Sequence, residues 1–135
     1  MKDDCIFCKL ANGVFPTNSI YEDEDFNVIL DLEPATRGHA LLLPKEHAAN
    51  LFELPDEIAV KALVTVKKVA AQMKENLGCA GMNLVQNNGE VAGQTVNHFH
   101  IHMIPRYEAD ESMVSWKKMK PSAEELVEIK KQIRE

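Results

Sequence analysis

Five short stretches of the chain have the apolar patterns that are typical of β-strands. Each is a run of apolar residues or an alternation of apolar and polar ones, bounded by turn-forming residues. The polar segment 22–25 separates the first two stretches as a hairpin turn would. Pro44 ends the third stretch, since proline cannot donate to a ladder. The predicted strands are residues 20–21, 26–31, 38–44, 81–86 and 98–104.

A long helix is predicted between the third and fourth strands, over residues 55–77. Its apolar residues recur every three or four positions and form one stripe. Pro55 suits a first helical turn, and Gly78 suits the position just beyond a helix end. The stripe consists of Ile58, Ala62, Val66, Val69, Met73 and Leu77.

Further apolar residues widen this stripe beyond what one core face needs. They suggest a second buried face, such as an interface between two copies of the chain in a homodimer. The alternative is a helix that is deeply embedded in the core. The additional residues are Val60, Leu63, Val64 and Ala71.

A C-terminal helix is predicted after Pro121, because Ser122 and Glu125 have the spacing of a capping box. With the strands and the long helix, this predicts an α+β fold. We expect an antiparallel sheet of about five strands, the long helix packed across it, and the C-terminal helix outside. The length of the chain is that of a single domain over residues 1–135.

Composition excludes several classes of function. Apolar residues make up 45% of the chain and the net charge is −6, so it lacks the basic surface of a nucleic-acid-binding protein. The first residues show no apolar signal region, and no stretch is long enough to span a membrane. We therefore expect a cytoplasmic protein whose three cysteines are not in disulfides. The sequence assigns no role to Cys79 or Trp116.

Three histidines, His98, His100 and His102, alternate with apolar residues in the last predicted strand. Side chains of a strand point to alternate faces, so the three imidazoles would share one face, about 6.6 Å apart. Phe99, Ile101 and Met103 would lie on the opposite face, which would pack in the core. The alternative is a surface strand that happens to carry histidines; three such side chains would be costly to bury without partners.

Cys5 and Cys8 form a C-x-x-C pair, which is typical of half a metal site or of a redox pair. A redox pair normally follows the first strand of a βαβ unit, and no strand fits before Cys5. Zinc would need two further ligands, for which His47 and His98 are candidates. A reduced pair without metal is the alternative.

The pattern from His98 to Ile104 is His-φ-His-φ-His-φ-φ, where φ is apolar. It resembles the signature of the histidine-triad family of nucleotide hydrolases and transferases, and the resemblance covers about residues 5–107, leaving 108–135 as a C-terminal extension. It implies hydrolysis of purine nucleotide conjugates, such as nucleoside phosphoramidates or dinucleoside polyphosphates. By this resemblance, His100 forms a covalent nucleotidyl intermediate, and His102 donates to phosphate oxygen and the leaving group.

The resemblance also implies the other site residues. A zinc-containing branch of the family binds one structural zinc through the positions of Cys5, Cys8, His47 and His98. Asp31 would accept the ribose hydroxyls, although a lone Asp there is more often a turn former. Thr95 would assist catalysis from a glycine-containing loop, and His39 would support the histidines. The implied nucleotide-binding residues are Asp31, Asn87, Gly93, Gln94, Thr95, Val96, Phe7, Ile6, Ile29, Leu32 and His39; for the four apolar ones, the core is the alternative.

Two other classes of function remain open from the sequence. In a zinc metallohydrolase, all three histidines would bind one catalytic metal. Neighbouring histidines on a flat strand are too far apart for all three to reach one ion, because each Zn–N bond is only about 2.1 Å long. A nucleotide-binding protein without catalytic activity is the other. Covalent attachment of a nucleotide to His100, with or without chelator, distinguishes the three.

Overall fold

The structure is a computed structural model that describes residues 1–108 and 117–135; Trp116 lies outside them. The helices are α1 (Ile6–Ala11), α2 (Asp56–Leu77) and α3 (Ala123–Arg134). The strands are β1 (Ser19–Glu22), β2 (Phe26–Leu30), β3 (Ala40–Pro44), β4 (Gly81–Val85) and β5 (Ile101–Arg106). Short 3₁₀ turns lie at Leu51–Glu53 and Glu90–Ala92.

The five strands form one antiparallel sheet in the order β1-β2-β3-β5-β4. The predicted α+β fold, with its five-stranded antiparallel sheet and long helix, is confirmed. In the register of the central strands, Leu41 lies opposite His102 and Leu42 opposite Ile101. The sheet therefore places β5 between β3 and β4, near its middle.

Helices cover both faces of the sheet. One face, with Val28, Leu42 and Met103, packs against the apolar stripe of α2 in the main core. The other face, with Ile29 and Leu41, forms a smaller core with Ala11 and the partly buried Phe7 and Leu10 of α1. Because strand side chains alternate, His102 opposite Leu41 lies on the α1 face.

The short helix α1 was not predicted from the sequence. It begins directly after Cys5, whose sulfur accepts a hydrogen bond from the Cys8 backbone N–H at 3.3 Å. A helix of six residues is too short to give a recognisable periodic pattern. It nevertheless holds both cysteines in place.

The long helix α2 begins after Pro55 and ends at Gly78, which has a left-handed conformation with φ of +69°. Its predicted stripe is in the core, but Val60, Leu63 and Val64 are 72%, 63% and 67% exposed. The alternative of a deeply embedded helix is therefore wrong. These side chains form an apolar surface patch on the single chain.

The predicted strand 98–104 is wrong at its start, because β5 begins only at Ile101. Continuing the register would place Phe99 opposite Pro44, which has no N–H to extend the ladder. The Phe99 N–H instead donates to the Ala48 carbonyl at 2.7 Å, and the His98 N–H donates to the Val96 carbonyl. The backbone before β5 is thereby directed away from the sheet.

The C-terminal helix α3 begins with the predicted capping box, in which Ser122 and Glu125 exchange hydrogen bonds. Its side chains are exposed along its whole length. Among the described residues, no helix is long and apolar enough to cross a membrane.

Candidate active site and metal centre

Four side chains from three parts of the chain form the first cluster, here called the Cys/His cluster: Cys5, Cys8, His47 and His98. Their ligand atoms all lie within 4.8 Å of one another. Nδ1 of His98 is 3.4 Å from each sulfur, and Nδ1 of His47 is 3.3 Å from the Cys8 sulfur. Such a set of two sulfurs and two imidazoles fits a tetrahedral metal with no open position.

A backbone carbonyl orients His98 for this task. Its Nε2 lies 2.9 Å from the Pro44 carbonyl oxygen, so this nitrogen carries the proton and donates. Burial lowers the pKa of His98 to about 4, which keeps the ring neutral. The lone pair of Nδ1 therefore faces the two sulfurs, as a metal ligand requires.

His100 is held by the backbone of its neighbour. Its Nδ1 donates to the His98 carbonyl oxygen at 2.6 Å, which leaves the lone pair on Nε2. Burial lowers the pKa of His100, so the ring is neutral near pH 7. The edge-to-face contact with Phe7, at a centroid distance of 4.9 Å, restricts rotation of the ring. His100 can therefore act as a nucleophile through Nε2.

A pocket of about 490 Å³ opens beside this nucleophile. It is wide enough for a small ligand such as a nucleotide. Eight predicted site residues line it: Phe7, Ile29, Asp31, Leu32, Thr95, Val96, His100 and His102. Other lining residues were not predicted from the sequence: Leu10, Pro16, Thr17, Asn18, Leu30, Glu33 and Leu41.

The four apolar residues predicted for a base pocket have different surroundings. Phe7, Ile29 and Leu32 line the pocket, and Leu32 is 86% exposed, so the alternative of a core position is wrong for it. Ile6 is 45% exposed and lies beside His47 in a separate surface depression. Ile6 and Phe7 are consecutive on a helix and point in different directions, and the base-pocket role of Ile6 stays a prediction.

Hydrogen bonds within the protein stabilise the loop before the histidines. The Gly93 N–H donates to the Glu90 carbonyl, and the Gln94 N–H donates to the Gly89 carbonyl. The Gln94 side chain is buried; its oxygen accepts from Gly89 N–H and its amide donates to the Ala49 and Val96 carbonyls. These bonds shape the loop, and the roles of Gly93 and Gln94 in nucleotide binding stay predictions.

Asn87 and Thr95 occupy different positions around this loop. The Asn87 side chain lies against Gly93, where a Cβ would be 3.4 Å from its amide nitrogen. It is not among the residues that line the pocket. Thr95 lines both the pocket and the adjacent depression, which places its side chain at their boundary.

A second cluster, here called the Asp/His cluster, consists of Asp31, His39 and His102. Nε2 of His39 is 2.9 Å from Nδ1 of His102 and 3.6 Å from Oδ2 of Asp31. Oδ1 of Asp31 accepts from the Glu33 N–H at 2.9 Å, so the residue also forms the predicted turn. Asp31 also lines the pocket.

His39 and His102 are both neutral, and for the same reason. Burial lowers the pKa of His39, and burial lowers the pKa of His102 to about 4, helped by the neighbouring imidazoles. Asp31 opposes the shift in both. Near pH 7, each ring therefore has one N–H and one lone pair.

The three histidines of the triad do not converge on one point. His98 belongs to the Cys/His cluster and His102 to the Asp/His cluster, and among the described residues these are the metal-type clusters. His100, between them, belongs to neither. The geometry does not support a metallohydrolase in which all three bind one catalytic zinc.

Comparison with known proteins agrees with this geometry. The family model described as "HIT domain" matches residues 12–109. An uncharacterized HIT-like protein of Methanocaldococcus jannaschii is 46% identical over 86% of this chain and 89% of its own. A protein of Schizosaccharomyces pombe named adenosine 5'-monophosphoramidase is 40% identical over 90% of each chain.

Solved structures give the same result. A HIT family protein from Bacillus anthracis has a TM-score of 0.90 and 40% identity, covering 99% of this chain and 97% of that one. A zinc-bound histidine triad family protein from Mycobacterium smegmatis has a TM-score of 0.76 and 34% identity, covering 96% and 97%. With the histidines and the fold described above, these findings show that the chain belongs to the HIT domain family.

Proposed function

We propose that the protein is a nucleotide hydrolase that cleaves purine nucleoside phosphoramidates, such as adenosine 5'-monophosphoramidate. The observation that carries this proposal is the orientation of His100. Its Nδ1–H is held by the His98 carbonyl, so the Nε2 lone pair belongs to a buried, neutral imidazole at the wall of a nucleotide-sized pocket. The name of the fission yeast relative supports the same substrate class.

The proposed reaction has two steps. In the first, Nε2 of His100 attacks the α-phosphorus, a P–N bond to the histidine forms, and the P–N bond to the leaving amine breaks. The leaving nitrogen, which is protonated in the reacting substrate, departs as the neutral amine and accepts a hydrogen bond from the Nε2–H of His102. In the second step, water attacks the phosphorus and loses a proton to solvent, and the bond to His100 breaks to release the nucleoside monophosphate.

Substrate binding is assigned to the pocket. Asp31 would accept both ribose hydroxyls through Oδ2, since charge-assisted hydrogen bonds to a carboxylate are among the stronger polar contacts. Phe7, Ile29 and Leu32 would contact the base. Thr95, at the boundary of the pocket, would contact the phosphate or the leaving group.

We assign one structural zinc to the Cys/His cluster. When bound, it would supply stability rather than activate water, since four protein ligands leave no open position. His98 would link the metal to catalysis by holding His100 through its carbonyl oxygen. The zinc-bound mycobacterial structure supports the choice of metal. The proposed cytoplasmic location, a reducing compartment, would keep the cysteine ligands reduced.

Steady-state kinetics with adenosine phosphoramidate and a diadenosine polyphosphate test the function. We expect a higher kcat/KM for the phosphoramidate, and a labelled nucleotide on His100 after rapid acid quench. A preference for the polyphosphate would identify the second candidate of the family. Nucleotide binding without turnover in folded, metal-replete protein would instead favour a non-catalytic binding protein.

We further propose that two copies form a homodimer through α2 and β4. Val60, Leu63 and Val64 form an exposed apolar patch on α2. The strand β4 lies at one edge of the sheet, where unpaired backbone groups can accept a second chain. Sedimentation at tens of micromolar should show a dimer, and Leu63→Glu should shift it to the monomer.

A further inference from the structure

A chain of hydrogen bonds lies behind His102 in the Asp/His cluster. The Ala35 backbone N–H donates to Nδ1 of His39 at 2.9 Å. A backbone N–H can only donate, so Nδ1 of His39 carries the lone pair and its ring proton is on Nε2. That proton is then donated to Nδ1 of His102, 2.9 Å away. The proton of His102 is consequently on Nε2.

We propose that the Ala35 amide and His39 form a tautomer lock, which fixes the His102 proton on Nε2 and keeps divalent cations out of the Asp/His cluster. The catalytic meaning of the lock rests on the proposed function, in which the Nε2–H of His102 donates a hydrogen bond to the leaving amine. His39 is then a positioning residue that acts through His102.

The segment that carries the Ala35 amide is anchored on both sides. The Thr36 hydroxyl donates to the Pro105 carbonyl at 2.6 Å, and the Tyr107 hydroxyl donates to the Arg37 carbonyl at 2.6 Å. Gly38 has a φ of +90°, and a Cβ there would be 2.6 Å from a side-chain atom of α2. Contacts to β5, to Tyr107 just after it and to α2 therefore hold the Ala35 amide in a fixed position.

The same amide opposes metal binding at this cluster. The ligand atoms of Asp31, His39 and His102 lie within 4.8 Å of one another, as they do in the Cys/His cluster. A cation on Nε2 of His39 would need the lone pair there and would move the ring proton to Nδ1. That proton would point at the Ala35 N–H, so the buried ring of His39 would face a donor with a donor.

Nitrogen-15 NMR of the metal-replete protein at pH 7 tests the lock directly. Long-range correlation spectra distinguish a ring nitrogen that carries a proton from one that carries a lone pair. We expect Nδ1 to be unprotonated and Nε2 to be protonated in both His39 and His102. A proton on Nδ1 of His102 would overturn the proposal, whatever the activity of the protein.

Three variants of His39 test the consequence for catalysis. His39→Gln keeps a donor near Nδ1 of His102, His39→Leu removes it, and His39→Glu offers an acceptor that favours the wrong tautomer. We expect kcat of the Gln variant within about fivefold of wild type, a loss of about 10- to 100-fold for Leu, and a loss at least as large for Glu. The Kd for the nucleoside monophosphate should change by less than about threefold in the Gln and Leu variants.

A merely structural role for His39 would lower kcat and melting temperature equally in the Gln and Leu variants, and equal kcat values for these two would overturn the lock.

Metal analysis after equilibration with excess Zn²⁺ gives a further check: we expect one zinc per chain. A second zinc that Asp31→Asn removes would overturn the exclusion of cations. If NMR finds the expected tautomers but no nucleotide is hydrolysed, the lock stands and the proposed function fails.

Discussion

The Cys/His cluster and the Asp/His cluster each contain two histidines, and the ligand atoms of each cluster lie within 4.8 Å of one another, but the backbone gives their histidines opposite partners. In the first, the Pro44 carbonyl accepts a hydrogen bond from Nε2 of His98, so the lone pair on Nδ1 faces two sulfurs. In the second, the Ala35 N–H donates to Nδ1 of His39, so the proton on Nε2 faces His102. The first cluster is suited to bind a cation, and the second to donate a hydrogen bond.

This difference shows that the identity of the side chains does not determine the chemistry of a histidine cluster. The peptide group opposite each ring decides which nitrogen can accept. His100 lies between the two clusters, and its own partner is the carbonyl of a residue in the first. In the proposed mechanism, the Cys/His cluster therefore positions the nucleophile, and the Asp/His cluster contacts the leaving group.

The largest effect is expected from His100→Ala, which removes the group that both clusters serve. We expect kcat to fall by about 10⁴-fold or more, because a covalent nucleophile is lost. Binding of the nucleoside monophosphate should persist, since Asp31 and the pocket remain. Single-turnover kinetics and calorimetry measure the two quantities, and a variant that keeps a tenth of wild-type kcat would exclude His100 as the nucleophile.

Removing the metal should break the first cluster and leave the second intact. We expect Cys8→Ser to lose zinc and lower the melting temperature by roughly 10 °C, because metal binding contributes to folding free energy. Cys79→Ser is the matched control: Cys79 is also buried but lies outside the cluster, so zinc content should not change. Zinc that stays bound in the Cys8 variant would contradict the assignment.

Asp31→Asn should weaken the second cluster's contact with substrate. We expect KM to rise by roughly 10- to 100-fold with a smaller change in kcat, since a charge-assisted contact to the ribose is lost. The 2'-deoxy substrate serves as control, because its KM should respond less to the variant. An equal rise with both substrates would place the Asp31 contact elsewhere.

The smallest effect is expected from a substitution of Asp23. This residue lies outside both clusters, so its variant shows how much stability changes when neither cluster is altered. Burial alone would raise the pKa of Asp23, but hydrogen bonds from the Tyr21 hydroxyl and from the N–H groups of Asp25 and Phe26 outweigh it and hold the pKa below its usual value. The resulting stability is present above the usual value of 3.8 and is lost as pH falls through the lowered pKa.

Asp23→Asn should therefore destabilise the protein by about 0.5 to 1 kcal/mol at pH 7, and by less below pH 3. Urea unfolding at both pH values measures the difference. A constant difference across pH would mean that packing, and not the charge of Asp23, carries the effect. Zinc content and kcat should remain those of the wild type.

Patterns that repeat along the chain predicted most of the fold. The stripe of α2, the end at Gly78 and the capping box of Ser122 are local signals, and the structure has all three. The start of β5 was misjudged because it depends on Pro44, which is distant in sequence but opposite Phe99 in the register. The alternation of His98, His100 and His102 continues across the start of β5, so the pattern could not show where the strand begins.

The candidate site was less accessible from the sequence. The cysteines and histidines were found because their types and spacing are distinctive, but the hydrogen bond from Ala35 to His39 has no signature, since every residue except proline has the same N–H. The buried contacts of the Gln94 side chain were not predictable for a related reason: an amide side chain suits either a ligand or a loop.

Pro44 and His47 are separated by two residues, and both act on His98 from opposite directions. The Pro44 carbonyl accepts from Nε2 of His98, while the His47 ring lies 5.2 Å from the His98 ring on the side of the cysteines. The length of the chain between them therefore sets the width of the Cys/His cluster. An insertion or deletion at Lys45 or Glu46 would shift one partner without the other, so this short surface turn should tolerate changes of residue far better than changes of length.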